Sequence, residues 1–218
     1  MNYKKLLYTS MVGWAMAGSA HAAVWTFNGT DNNTQGLVKA TATGWANTVG
    51  STNTALESAY LTFNGSSGLG IQNKDSGNGD TNEGTDPEHA IDNDQRNDSI
   101  LFSFTGDKVN LSATSFGWVS GTTGYGDSDY SVYAYTGTTP MNLSGVTYTD
   151  AAMAAAGWAL VGHYQGGSST GTKTISSTIY SSYWLIGALN STSDGKKDAF
   201  KLYSVTGGTC AANPGGNG

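Results

Sequence analysis

Asp129-Tyr130-Ser131-Val132-Tyr133-Ala134-Tyr135 is the run whose reading decides the fold. Tyr130, Val132 and Ala134 alternate with Ser131, Tyr133 and Tyr135. A period of two sends successive side chains to opposite faces of an extended chain, so the run predicts a β-strand. Its aromatic and β-branched residues suit a pleated surface. The pattern extends outward in both directions. Upstream, 109–119 (VNLSATSFGWV) sets Phe116 and Trp118 on one face, and 100–104 (ILFSF) reads as a strand buried on both sides. Further upstream, 23–27, 37–45 and 55–63 alternate, separated by turn signals such as Asn28-Gly29 and Asn64-Gly65. Downstream, 158–164, 183–189 and 200–205 complete the set. One segment breaks the pattern: Asp150 to Ala156 is Ala-rich and predicts a short helix, with Asp150 as N-cap and Gly157 as its stop. Short strands, one helical segment near 150–156 and Gly-rich connections predict an all-β fold, a single β-sandwich of jelly-roll type. No fixed-period repeat is present, which argues against a solenoid or propeller.

The ends of the chain read differently. Lys4 and Lys5, the apolar stretch 6–17 and Ala20-His21-Ala22 have the form of a secretory signal, so 1–22 is predicted to be removed and the mature chain to begin at Ala23. The apolar stretch is too short and polar to make a good membrane span, so the mature chain is expected to lack one. The sandwich is assigned to 23–206 and a disordered Gly-rich tail to 207–218, which has no core-forming residue.

Composition narrows the function classes. Only 12% of residues are charged, yet there are 12 Tyr and 6 Trp, as expected for a folded protein with a Ser/Thr/Tyr surface. The net charge of −6 becomes −8 once the two leader lysines leave, and no basic patch offers itself to nucleic acid. Cys210 is the single cysteine, so no internal disulfide forms; it is read as an idle thiol or a link between chains. An exported domain built this way relies on its core, a bound ion, or both.

The acids are unevenly spread. Asp75, Asp80, Glu83, Asp86, Glu88, Asp92, Asp94 and Asp98 are half of the chain's 16 acidic residues, and all fall within 68–104. Hard cations such as calcium take several oxygen ligands, which this stretch can offer. No calcium-loop signature is spelled out, however. Asp92-Asn93-Asp94 begins like an EF-hand loop, but Arg96 and Asn97 occupy its fifth and sixth positions. A solvated acidic loop is the competing reading. Asp127-Ser128-Asp129 places two more carboxylates on one side of a strand entrance, where an ordinary Asx turn is the alternative. The candidate calcium ligands are therefore Asp86, Asp92, Asp94, Asp127 and Asp129.

Tyr125, Tyr130, Tyr133 and Tyr135 are candidates for a sugar-stacking strip, against an ordinary role as sheet-face aromatics. Gly167-Ser168-Ser169-Thr170-Gly171 matches the nucleophile-elbow pattern of serine hydrolases, but it lies in coil and no histidine follows it. His89 and His163 are the mature histidines; His89, beside Glu88 and Asp92, is read as a loop-fixing residue, with an acid-base role as the alternative.

Several segments, in order, resemble the bacterial exosortase-dependent surface proteins of the PEP-CTERM type. They are Pro87-Glu88-His89-Ala90-Ile91-Asp92-Asn93 before ILFSF; Phe116-Gly117-Trp118; Gly126-Asp127-Ser128-Asp129 before SVYAYTG; Gly157-Trp158-Ala159-Leu160-Val161-Gly162; and FKLYSVTGGTC at 200–210. The resemblance covers nearly all of the mature chain. It implies an exported, non-catalytic, all-β surface or matrix protein of a Gram-negative bacterium, partnered by extracellular polysaccharide or other biofilm matrix proteins. The Pro-Glu-Pro sorting tail of that group is missing from the sequence, which puts sorting in question but not export. The alternatives are a secreted carbohydrate-binding module and a secreted glycan-active enzyme.

Overall fold

The computed structural model describes residues 22–49, 54–74, 89–190 and 195–209. Residues 1–21 of the predicted signal segment, residues 75–88 of the acid-rich stretch with Asp86 among them, and Cys210 lie outside these residues.

The fold is all-β. In chain order the strands are β1 (Ala22–Thr26), β2 (Asn32–Gln35), β3 (Val38–Val49), β4 (Ala55–Phe63), β5 (Leu69–Gln72), β6 (Ile91–Asp92), β7 (Asp98–Thr105), β8 (Val109–Val119) and β9 (Tyr130–Tyr135). Helix α1 (Asp150–Ala155) follows, then β10 (Trp158–Tyr164), β11 (Gly171–Thr174), β12 (Tyr183–Ala188) and β13 (Ala199–Thr209). The pairings between named strands are antiparallel and form two sheets. One runs β10-β9-β12-β7-β3-β4, with β2 also on β3. In the other, β13 is central: β8 flanks one side and carries β11, while β6, β5 and β1 share the opposite side in succession. β4 belongs to both sheets. Its first half, through Ala59, pairs with β3, and Tyr60 to Phe63 pair with β5.

The alternation seen in the sequence sets the layers. Tyr130, Val132 and Ala134 of β9 join Phe102, Trp184, Phe116, Phe200 and Trp25 in the core between the sheets. Tyr133 and Tyr135 point the other way, into a second cluster with Leu101, Leu185, Leu143, Tyr148, Met153 and Trp158. The segment 141–156, with α1, covers this outer face of the sheet. All six residues of β9 are thus buried. Two of the buried indoles find acceptors: Trp25 Nε1 donates to the Val38 carbonyl (3.1 Å) and Trp184 Nε1 to the Val109 carbonyl (3.0 Å). These bonds offset the desolvation that burial of an N–H otherwise costs.

Two local expectations are corrected. The N-cap of α1 is Thr149, not Asp150: the Thr149 hydroxyl accepts from the Ala152 amide, and Asp150 is the first helical residue. Gly157 ends the turn as expected, with φ 90°, a conformation that glycine adopts without steric cost. The disordered tail does not begin at Gly207. Gly207, Gly208 and Thr209 continue β13, paired to Leu111, Asn110 and Val109 of β8, and Gly207 and Gly208 also pair with β1. A ladder partner on each side holds a Gly-Gly step that intrinsic propensity disfavours.

Candidate metal centre

Asp127, Asp129 and Asp198 converge at one end of the sandwich. Each offers a carboxylate oxygen within 4.8 Å of the others, and all three residues are buried. Asp127 and Asp129 flank the entrance to β9, and Asp198 immediately precedes β13. A parallel bridge joins Asp127 to Asp198, and the Ala199 amide donates to the Asp127 carbonyl (3.0 Å).

The backbone positions each carboxylate. Asp198 Oδ1 accepts from the Asp129 amide (2.7 Å), Asp129 Oδ1 from the Gly166 amide (2.9 Å) and Asp127 Oδ1 from the Ser128 amide (2.9 Å). Asn93 stitches the site to β6: its Nδ2 donates to Asp198 Oδ2 (2.6 Å), and its Oδ1 accepts from the Asp198 amide (2.9 Å). Gly166 sits so close that a Cβ there would lie 2.0 Å from the Ser128 carbonyl oxygen. Only glycine brings that amide to Asp129 without displacing the loop.

The electrostatics are those of crowded acids. Desolvation by burial, with added repulsion from Asp129 and Asp127, pushes the Asp198 carboxyl up to about 7, although bonds from the Asp129 amide and Asn93 pull the other way. Lys196 supplies partial neutralisation, with its ammonium 3.4 Å from Asp127 Oδ2. A divalent cation would do so more fully, because hard cations take carboxylate and carbonyl oxygens. The arrangement can therefore hold a metal ion.

The sequence candidates divide accordingly. Asp127 and Asp129 come together; Asp86 lies outside the described residues. Asp92 and Asp94 are not in the group. Asp92 is buried in β6, where Oδ1 accepts from the Asp94 amide (2.9 Å). Asp94 is ion-paired with Lys197 and accepts the Tyr125 hydroxyl, and that bond to Asp94 foremost raises the lysine's pKa. Asp198 was missed. It stands far along the chain beside two lysines, with no local pattern to mark it.

The tyrosine strip is corrected. Tyr130 and Tyr133 are fully buried and Tyr135 nearly so, on opposite faces of one sheet. Tyr130 stacks on Tyr164 at 5.1 Å and meets Phe116 edge-on. These rings pack the protein and present no common face to a sugar.

A second polar group joins β9, β10 and α1. Ser131 Oγ lies 2.9 Å from His163 Nδ1, and His163 Nε2 lies 3.1 Å from Asp150 Oδ2. Asp150 Oδ1 also accepts from the Tyr133 hydroxyl (2.6 Å) and Asn190 Nδ2 (2.9 Å). Burial works to raise the Asp150 pKa, yet the bonds from Tyr133, Asn190 and His163 together hold it below its usual value. The order Ser-His-Asp is that of a hydrolase triad, but Ser131 is 0% exposed within the sheet. No acyl carbon reaches its hydroxyl in this conformation, so the group acts as a latch that ties α1 to the sheet.

The chain matches no family model, and no curated protein or solved structure shows significant similarity to it.

Proposed function

We propose that this chain is an exported bacterial surface or matrix protein, non-catalytic, whose β-sandwich is locked at one end by calcium. The observation that carries the reading is the convergence of Asp127, Asp129 and Asp198 from two distant chain segments, with all three residues buried. Calcium suits the all-oxygen donor set and is plentiful outside cells, where modules of this kind bind it with Kd on the order of 0.1 to 1 mM. The leader-like residues 1–22 and the ordered series of surface-protein-like segments support export from a Gram-negative cell into a polysaccharide matrix. Among the described residues no helix is long and apolar enough to cross a membrane.

Thermal melting in calcium against chelator tests the metal. At about 10 mM calcium, linkage gives about 1.4 to 2.7 kcal/mol, a rise of roughly 3 to 10 °C. Equal melting temperatures in the two conditions would remove calcium from the reading. N-terminal sequencing of exported material tests the address: it should begin at Ala23, and Met1 on exported protein would refute cleavage.

A further inference from the structure

β9 has two ends. The carboxylates gather before Tyr130; five residues on, roughly 17 Å away along the strand, Tyr135 opens onto a cavity of about 380 Å³. Its lining includes Lys108, Tyr135, Thr136, Tyr180, Ser182 and Tyr183. These come from the turn before β8, the exit of β9 and the entrance to β12, so strand ends fix their placement.

Three features give the cavity a chemical character. The first is fixed aromatic surface. The Tyr135 hydroxyl donates to the Thr139 carbonyl (2.6 Å), its ring packs edge-on against Trp158, and Tyr183 packs edge-on against it at 6.2 Å. Tyr180 stands beside them, 43% exposed. The second is hydroxyl groups on Thr136 and Ser182. The third is charge: the Lys108 ammonium is exposed and makes no ion pair among the described residues, in a chain of net charge −6. Its volume falls within the range of about 300 to 1,000 Å³ typical of small-ligand sites, and its lining mixes aromatic rings with hydroxyls and an ammonium, as a polyhydroxylated ligand requires. A sugar ring has C–H faces for aromatic side chains and hydroxyls around its edge. A carboxylate on that ring would meet Lys108.

We propose that this cavity binds an acidic sugar unit, a uronate or a similarly carboxylated saccharide. The inference deepens the surface-protein reading and rests on it only for the source of the ligand, an extracellular polysaccharide.

The test is a titration of the full-length mature protein, ¹⁵N-labelled and held in chelator, with a tetramer of β-1,4-linked glucuronate and with cellotetraose. The glucuronate tetramer should shift the amides of Thr136, Ser182 and Tyr183 and bind at least about fivefold more tightly than cellotetraose. Lys108→Gln should erase that preference, and Tyr180→Ala should weaken both ligands about fivefold or more. Both side chains are exposed, so both variants should melt like wild type. Absence of binding, shifts clustered away from the cavity, or equal affinity of wild type for the two tetramers would overturn the proposal. Because the titration is run in chelator, sugar binding without any calcium-induced stabilisation would sink the metal reading alone, and the reverse result would sink this one alone.

Discussion

The Asp129 amide donates to Asp198 Oδ1 across 69 residues of sequence, at 2.7 Å, and that bond, with the one from the Ala199 amide to the Asp127 carbonyl, joins the start of β9 to the start of β13. It draws a carboxylate into a buried site that already holds two others. The metal-free protein should therefore lose stability as pH rises. Asp198 titrates near 7 when folded and near 3.9 when unfolded. Between those values the folded state holds the proton more tightly, so stability falls as pH climbs from about 4 to about 7. Melting curves in chelator should show this slope, and Asp198→Asn should flatten it.

Calcium should reverse the trend. Cation binding requires the ionised carboxylate, so the calcium-induced rise in melting temperature should be small near pH 5 and full near pH 8. Asp198→Asn should abolish the rise. Asp94→Asn, whose carboxylate faces Lys197 and Tyr125 instead, should keep it.

Gly166→Ala tests the close approach behind the site. The added Cβ meets the Ser128 carbonyl oxygen at 2.0 Å and the Ser128 hydroxyl at 2.4 Å, so the loop must move and its amide must leave Asp129. The expected loss is about 1 to 3 kcal/mol, or roughly 2 to 10 °C of melting temperature, together with weakened calcium stabilisation.

Asp150→Ala opens the latch. It strips the acceptor from Tyr133, His163 and Asn190, and the buried Tyr133 hydroxyl then depends on Asn190 alone among its side-chain partners. A loss of about 1 to 3 kcal/mol is expected in a melting experiment near neutral pH. Its pKa is depressed on folding, so this contribution is present above about pH 4 and fades as pH falls through the lower folded value. Ser131 should resist a fluorophosphonate probe in the folded protein; stoichiometric labelling there would make the latch a catalytic triad.

Deleting the chain from Gly207 should lower the melting temperature by several degrees, because three paired residues of β13 go with it. An unchanged melt would show that these ladder bonds contribute nothing measurable.

β9 illustrates what sequence pattern can and cannot carry. The alternation in DYSVYAY identified the strand and assigned Tyr130, Val132 and Ala134 to one face. It did not show that the opposite face is also covered, because the cover comes from 141–156, whose own pattern does not reveal where it docks. Asp127 and Asp129 were legible as a pair because strand geometry aligns residues two apart. Their third partner depends on which strand lies beside which, and pairing across such a separation leaves no local mark. Composition misread Gly207 and Gly208 for a related reason: glycine is a poor strand former alone, but here β1 and β8 satisfy its backbone on both sides. The short strands β2, β5, β6 and β11 escaped notice because two to four residues hold too little alternation to register.

β1 and β13 lie side by side and antiparallel, with Ala22 opposite Gly208, while β13 leads away from the carboxylate end for roughly 30 Å. Both extremities of the folded domain thus emerge together at the far end. A domain moored by whatever follows Thr209 would hold its three-carboxylate tip farthest from the mooring, with the tyrosine-lined cavity turned back toward the mooring itself. A purification tag or an immobilising linker added after Thr209 would impose the same orientation on a sensor chip.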